Sequence, residues 1–339
     1  EHVNISCQSC HDSHKGGLRA TPVGSDTLSN GYSYASFNAG AGKTCMDCHK
    51  YRANGNTLVN ANLSAHWGPH YGGIADVLLG KNGYTFGAEI PSSVAHQFVQ
   101  NSCVGCHMAQ PAAEHRNKMG EHTFKMSYKD DNNVQHDLVQ PCVTCHSGIT
   151  KFSDIVAAQD YDGDGQIKSF VEEFDGLFTQ LKMALPPVGQ PTVNWQEIDN
   201  ANITQKGAYY NYRYINYEKS KGMHNPKYII GLLQKSVQVL TGIEFEPLAD
   251  NPVNFELKQN YPNPFNPTTK ISFIVPVEVM VKLEVYSING QLVETLVNEE
   301  LQAGSYSYTF NANDLASGVY FYRLTAGSFV TTNKMVLMR

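Results

Sequence analysis

One five-residue phrase is written four times in this chain: Cys7-Gln8-Ser9-Cys10-His11, Cys45-Met46-Asp47-Cys48-His49, Cys103-Val104-Gly105-Cys106-His107 and Cys142-Val143-Thr144-Cys145-His146. C-x-x-C-H is the attachment signature of c-type haem. Its two thiols add to the porphyrin vinyl groups, and the adjacent histidine becomes the proximal iron ligand. All eight cysteines belong to these four phrases. Paired C-x-x-C units can also hold zinc or close disulfides, but neither use needs a histidine directly after every pair. The expectation is therefore four haem c groups, thioether-linked at the eight cysteines, with His11, His49, His107 and His146 as proximal ligands.

The sixth position of each iron separates electron transfer from catalysis, because an imidazole there closes the metal and an open site admits substrate. Thirteen histidines less the four proximal ones leave His2, His14, His66, His70, His96, His115, His122, His136 and His224. Four are needed for closed haems, so about half are surface or supporting histidines. Context ranks them. His96 precedes the third phrase in Ala95-His96-Gln97-Phe98, and His122 lies in Glu121-His122-Thr123-Phe124, where the aromatic can flank a porphyrin. His70 closes His66-Trp67-Gly68-Pro69-His70 just ahead of a short amphipathic helix at 74–79. His224 joins two helical patterns, 209–220 and 227–240, that hold it firmly. His136, just before the fourth phrase, suits a supporting role.

A second chemical motif is Asp160-Tyr161-Asp162-Gly163-Asp164-Gly165-Gln166. Carboxylates at positions one, three and five, glycine at six and a backbone carbonyl at seven make the calcium-loop pattern. Position twelve is Val171 rather than glutamate, so the loop is EF-like, lengthened over 160–173 and closed by Glu173. The set Asp160, Asp162, Asp164, Gln166 and Glu173 is expected to hold one structural calcium ion, pinning the helix that begins at Phe170. The alternative is an acidic turn.

A length of 339 residues suggests two or three domains. The stretch from 1 to about 185 is rich in Gly, Asn, Ser and His and looks too polar to build a core alone. Haem faces supply the missing apolar surface. The expected fold is therefore a haem-packed, loop-rich, mainly α multihaem cytochrome domain over 1–245. Tyr209, Tyr210, Tyr212, Tyr214 and Tyr217 are expected to pack on porphyrin edges. Residues 246–252 read as a linker, and 253–339 as an all-β, immunoglobulin-like sandwich with strands at 270–275, 281–286, 291–297, 305–311, 318–325 and 329–337. A net charge of −6 gives no argument for nucleic acid as a partner. No apolar run approaches the ~20 residues that cross a bilayer. The chain starts at Glu1, and since covalent haem is attached outside the cytoplasm, the expectation is that an export signal has been removed.

The order H-W-G-P-H, A-D-V-L-L-G, A-H-Q-F before C-V-G-C-H-M, E-H-T-F and G-M-H-N-P resembles a family of exported multihaem cytochromes distantly akin to the pentahaem nitrite reductases, over about residues 1–240. The resemblance implies that His70, His96, His122 and His224 are distal ligands. Those reductases carry a C-x-x-C-K haem with an open site, and this chain has no lysine variant, so the activity does not carry over. Two function classes follow. One is an electron conduit of four bis-histidine haems, exchanging electrons with other redox cytochromes or extracellular acceptors and having no catalytic residues. The other is a monomeric surface cytochrome, or a reductase of a small nitrogen oxyanion or amine, with one open haem. The surplus of histidines favours the conduit.

His14 stands three residues after a proximal ligand, and so short a tether keeps it off the far face of its own haem. C-x-x-C-H-x-x-H near a mature N-terminus resembles the opening of extracellular cytochromes that polymerise into filaments. There the second histidine binds a haem of the next identical subunit, a head-to-tail contact that propagates as a fibre. Finally, Gln259-Asn260-Tyr261-Pro262-Asn263-Pro264-Phe265-Asn266-Pro267, with Ser317-Gly318-Val319-Tyr320-Phe321-Tyr322 and Lys334-Met335-Val336-Leu337, resembles the C-terminal sorting domain of the type-nine (Por) secretion system. That implies an extracellular or cell-surface protein of a Gram-negative bacterium.

Overall fold

Three helices follow from their caps and apolar spacing. The computed structural model describes residues 10–11, 26–69, 71–93, 95–143, 145–248, 255–276, 279–302, 304–327 and 329–338. Its contacts divide the chain into one unit of Glu1–Pro141 with Ile149–Ala249 and another of Cys142–Gly148 with Asp250–Arg339. In the first unit, short helices α1 (Lys43–Cys48), α2 (Gly55–Leu58), α3 (Ile74–Leu78) and α4 (Cys103–His107) precede the long α5 (Phe170–Ala184), α6 (Ile203–Glu218) and α7 (Pro226–Thr241).

Ser169 and Glu172 form a reciprocal capping box that starts α5, and Phe170, Phe174, Leu177 and Leu181 recur on one buried face. Helix α7 opens on Asn225 with Pro226 in its first turn and stops at Gly242, whose φ is 77°. Helix α6 begins earlier than the aromatic pattern suggests, because the Asn202 side chain accepts from the N–H groups of Thr204 and Gln205. Polar residues in that first turn hide the start from periodicity.

Against expectation, three of the five α6 tyrosines, Tyr209, Tyr210 and Tyr214, build protein core. Tyr209, Tyr210 and Tyr214 are 5%, 0% and 0% exposed, so other protein atoms already cover them. Tyr210 donates to the Asn82 carbonyl at 3.0 Å, Tyr214 to that of Lys81 at 2.6 Å, and Trp67 stacks on Tyr209. These rings join Phe174, Leu177, Ile229, Leu232 and Val237 in one cluster. At ~25 cal/mol per Å² of apolar surface buried, such burial is the main stabilising term of the unit. The region before α5 contributes little to it, chiefly Tyr51, Val59, Trp67 and Val77, with a smaller cluster around Leu28, Tyr34, Met46 and Leu79. An unanticipated hairpin, β1 (Ser127–Lys129) with β2 (Gln135–Asp137), has strands too short for an alternation to register.

The second unit holds β3 (Glu256–Leu257), β4 (Thr268–Val275), β5 (Val279–Ser287), β6 (Leu292–Leu301), β7 (Gly304–Asn311), β8 (Gly318–Ala326) and β9 (Phe329–Leu337). They form a three-stranded sheet, β3-β4-β7, and a four-stranded sheet, β6-β5-β8-β9, with antiparallel pairing throughout. Period-two alternation sends Ile271, Phe273, Val281, Leu283, Tyr322, Leu324 and Met335 inside, giving a sandwich-like core. The asparagine-proline stretch is stitched to β9: Gln259 donates to the Lys334 carbonyl at 2.8 Å, and Asn263 accepts from the Val336 N–H at 2.9 Å. Its two ends in sequence are therefore one structural element.

Candidate haem and cation sites

Each described C-x-x-C-H lies on about one helical turn, which brings residues i, i+3 and i+4 to one side. Helix α1 carries Cys45 and Cys48 with His49 as its C-cap, and α4 spans Cys103, Cys106 and His107. In the fourth phrase the N–H groups of Cys145 and His146 return to the Cys142 carbonyl at 3.0 and 2.8 Å. Of the first phrase Cys10 and His11 are described, while Cys7 lies outside the described residues. None of the seven described cysteines is in a disulfide.

The second and third phrases are held side by side. A Cβ on Gly42 would stand 2.6 Å from the Asn101 carbonyl and 2.8 Å from the Cys103 nitrogen, so only glycine permits the approach. Asn101 meets it with φ of 59° and accepts from the Ala41 N–H at 3.3 Å. The thiols of Cys45 and Cys103 lie within hydrogen-bonding reach of each other.

Two pairs of histidine rings lie near one another, at a centroid spacing compatible with a shared metal. His107 and His224 have ring centroids 6.0 Å apart and planes 21° from parallel; for His11 and His122 the values are 6.3 Å and 31°. Imidazoles bound trans to one metal through bonds of ~2.0 Å put their centroids roughly 6 Å apart. The Nδ1 positions suit the same role. His107 Nδ1 donates to the Phe124 carbonyl at 2.8 Å, and His224 Nδ1 to the Glu218 carboxylate. Tying Nδ1 selects the tautomer that offers Nε2 to a metal. Burial lowers the pKa of His107 and His49, which favours the neutral, ligating ring. For His224 burial acts downward too, but Glu218 outweighs it and holds the pKa above the usual value.

His224 is placed by its neighbour. Asn225 caps α7, accepts from the Ser93 N–H at 2.8 Å and donates to Ser92 Oγ at 2.8 Å and the Leu78 carbonyl at 3.3 Å. His96 turns Nδ1 to the Met223 carbonyl, which brings it to the loop that carries His224. His115 and His136 lie instead with Tyr128 in the β1–β2 region: His115 Nδ1 bonds the Tyr128 hydroxyl at 2.8 Å, and His136 Nε2 bonds Asp130 at 3.1 Å. His14 and His70 lie outside the described residues.

In the acidic loop, oxygens of Asp160, Asp162 and Glu173 converge within 4.8 Å. Glu173 is wholly buried and accepts N–H bonds from Tyr161, Asp162 and Lys168 at 2.8, 3.1 and 2.9 Å, closing the loop from inside α5. Gly176 is required beneath it, since a Cβ there would stand 1.9 Å from Asp162 Oδ2. Asp164 does not join this convergence. Asp164 pairs with the Lys168 ammonium at 2.7 Å, and Gln166 is exposed with its N–H on Asp164. Lys168 Nζ also reaches Asp162 at 3.0 Å, so an ammonium sits where a cation would neutralise the carboxylates. The donor set is hard oxygen throughout and fits calcium once Lys168 swings away.

Glu218 and Asp76 escaped the sequence reading. Glu218 is six positions before His224 and reaches it only because the chain reverses through Lys219, in the left-handed conformation. Asp76 accepts from the Tyr51 N–H at 2.8 Å and from Asn82 at 3.0 Å, and burial pushes its carboxyl up to about 7.

Residues 87–245 match the cytochrome c552 family, and residues 259–338 match the secretion system C-terminal sorting domain. No curated protein matches the chain. Among solved structures, PorZ is described as an essential bacterial surface component of the type-IX secretion system of Porphyromonas gingivalis. It is 18% identical, over 27% of this chain and 12% of its own, with a TM-score of 0.20. At that score the likeness carries no argument.

Proposed function

From a secreted or cell-surface cytochrome of the Bacteroidetes, joining a c552-family segment to a type-nine sorting domain, we propose a carrier that moves electrons outside the cell through four covalent, bis-histidine haems. The observation that carries this reading is the His107–His224 pair, with rings 6.0 Å apart and both Nδ1 atoms bonded elsewhere. His11 and His122 support it with the same spacing. The remaining distal ligands are drawn from His14, His70 and His96. Bound haem supplies the one-electron couple. The residues of the chain close each iron to exchange and hold the second and third attachment helices together, so that electrons pass without a substrate pocket.

His14 serves a haem of the next subunit, and the protein is a head-to-tail filament with its immunoglobulin-like domain, 253–339, after the linker 246–252. Calcium in the loop 160–173, held by Asp160, Asp162 and Glu173, stiffens the start of α5 without touching the chemistry. The test of the haem reading is the ferric spectrum at neutral pH. Four low-spin centres and no turnover of nitrite or hydroxylamine are expected, and a substantial high-spin population argues against it. Electron microscopy of native material tests the polymer: fibres are expected, and discrete particles refute it. Metal analysis of protein purified without chelator is expected to find calcium, and its absence sinks that assignment.

A further inference from the structure

The described histidines differ in what stands behind them. His107 and His96 turn Nδ1 to backbone carbonyls, those of Phe124 and Met223, whereas His224 turns Nδ1 to the Glu218 carboxylate. Glu218 is 2% exposed, and its remaining donors are neutral: the Ser220 N–H at 2.9 Å, the Ser220 hydroxyl and the Gly222 N–H at 3.5 Å. Among the described residues its ion-pair partner is His224 alone. A carboxylate fixed by several donors stays ionised, and in a water-poor site its field acts with little screening.

We infer that Glu218 is a positioning residue that lowers the reduction potential of the haem between His107 and His224. The inference rests on the bis-histidine reading. A carboxylate on Nδ1–H makes the imidazole a stronger donor, and strong donation with a buried negative charge favours the ferric state, which carries one more positive charge than the ferrous. When one electron arrives, the charge that Glu218 balances is lost and the acceptor becomes less favourable. This haem is therefore harder to reduce than it would be without the carboxylate. The effect comes from the last residue of α6, outside every attachment phrase.

The test is a redox titration of the full holoprotein, followed haem by haem through the low-spin ferric resonances. In Glu218→Gln, which keeps shape and removes charge, one midpoint rises. At a fixed potential the reduced-to-oxidised ratio of that haem increases about tenfold, equivalent to ~59 mV for one electron, while the other three stay in place. Glu218→Asp restores the charge and returns the midpoint toward wild type. Ser220→Ala removes one donor from the carboxylate, leaves more of its charge for His224 and moves the same midpoint down, which keeps the inference testable if the glutamine variant does not fold. Unchanged midpoints, a common shift of all four, or a new high-spin signal in Glu218→Gln overturn it, the last by showing that Glu218 only holds His224 in place. Failure of the underlying ligation is seen separately, as high-spin iron in the wild type, and removes the inference with it.

Discussion

Replacing Glu173 by glutamine tests whether this side chain closes the acidic loop. Its Oε2 serves the N–H groups of Tyr161 and Asp162 and its Oε1 that of Lys168, and Glu173 itself is at zero exposure. Glutamine keeps one carbonyl oxygen. If that oxygen turns to the Tyr161–Asp162 pair, an amide NH2 faces the Lys168 N–H, and a donor meets a donor. One charge-assisted bond is lost and two become neutral, which at ~1.5–3 kcal/mol per charged bond predicts a cost of ~2–4 kcal/mol. For a unit of this size each kcal/mol moves the melting point ~2–4 °C, so a fall of about 5–15 °C is expected by calorimetry, with faster amide exchange across 160–173. At the proposed site, calcium at a hundredfold excess over its dissociation constant is expected to stabilise the native wild type by ~2.7 kcal/mol. The variant lacks that gain. Melting within ~1 °C of wild type, a shift too small for even one lost bond, together with an intact calcium response, would refute the reasoning.

Further expectations concern the haem region. Asp76 titrates at about 7 in the folded chain against 3.8 for the free side chain, because it is buried. Between these values the native state holds a proton that the unfolded chain has lost, so stability falls as pH rises through this window and levels off above it. Asp76→Asn removes that slope. Denaturation at pH 5 and pH 8 is expected to show the variant gaining on wild type at the higher pH, and an equal difference at both would disprove it. His224→Met is expected to convert one haem in four to histidine–methionine ligation, visible as a raised midpoint and an altered optical spectrum. Four unchanged haems in an equally stable protein would show that His224 is no ligand. Gly42→Val places side-chain atoms against Asn101 and Cys103, where even a Cβ stands 2.6 Å from an oxygen. It is expected to reduce haem loading at the second and third phrases, read by haem staining against total protein. Undiminished loading would mean that the two attachment helices need not touch.

Local features were legible because their physics is local. C-x-x-C-H is one turn of chain and carries its chemistry in five residues. The helix that begins at Phe170 and the alternation of β4 to β9 likewise depend on neighbours in sequence. The asparagine-proline stretch and the β9 ending were recognisable as a resemblance, and the hydrogen bonds from Gln259 and Asn263 to β9 show why they belong together.

What remained closed depends on distances between parts far apart in the chain. Periodicity could not say that Tyr210 and Tyr214 are covered by protein, because that depends on the carbonyls of Asn82 and Lys81 arriving opposite them. The calcium pattern named five oxygens, but only the packing of α5 decided that Asp160, Asp162 and Glu173 converge while Asp164 turns to Lys168. Composition gave nine candidate distal histidines with no means of pairing them to irons. The pairing of His107 with His224 requires the α6–α7 turn, capped by Asn225, to dock on the α4 region, and the same turn aims Glu218 at the ring. The sequence by itself marked where haem attachment is expected and determined that the protein is exported. The tertiary structure decided which rings oppose one another, because ligation needs two imidazoles within a few ångströms and no local rule sets the distance between separate segments of a chain.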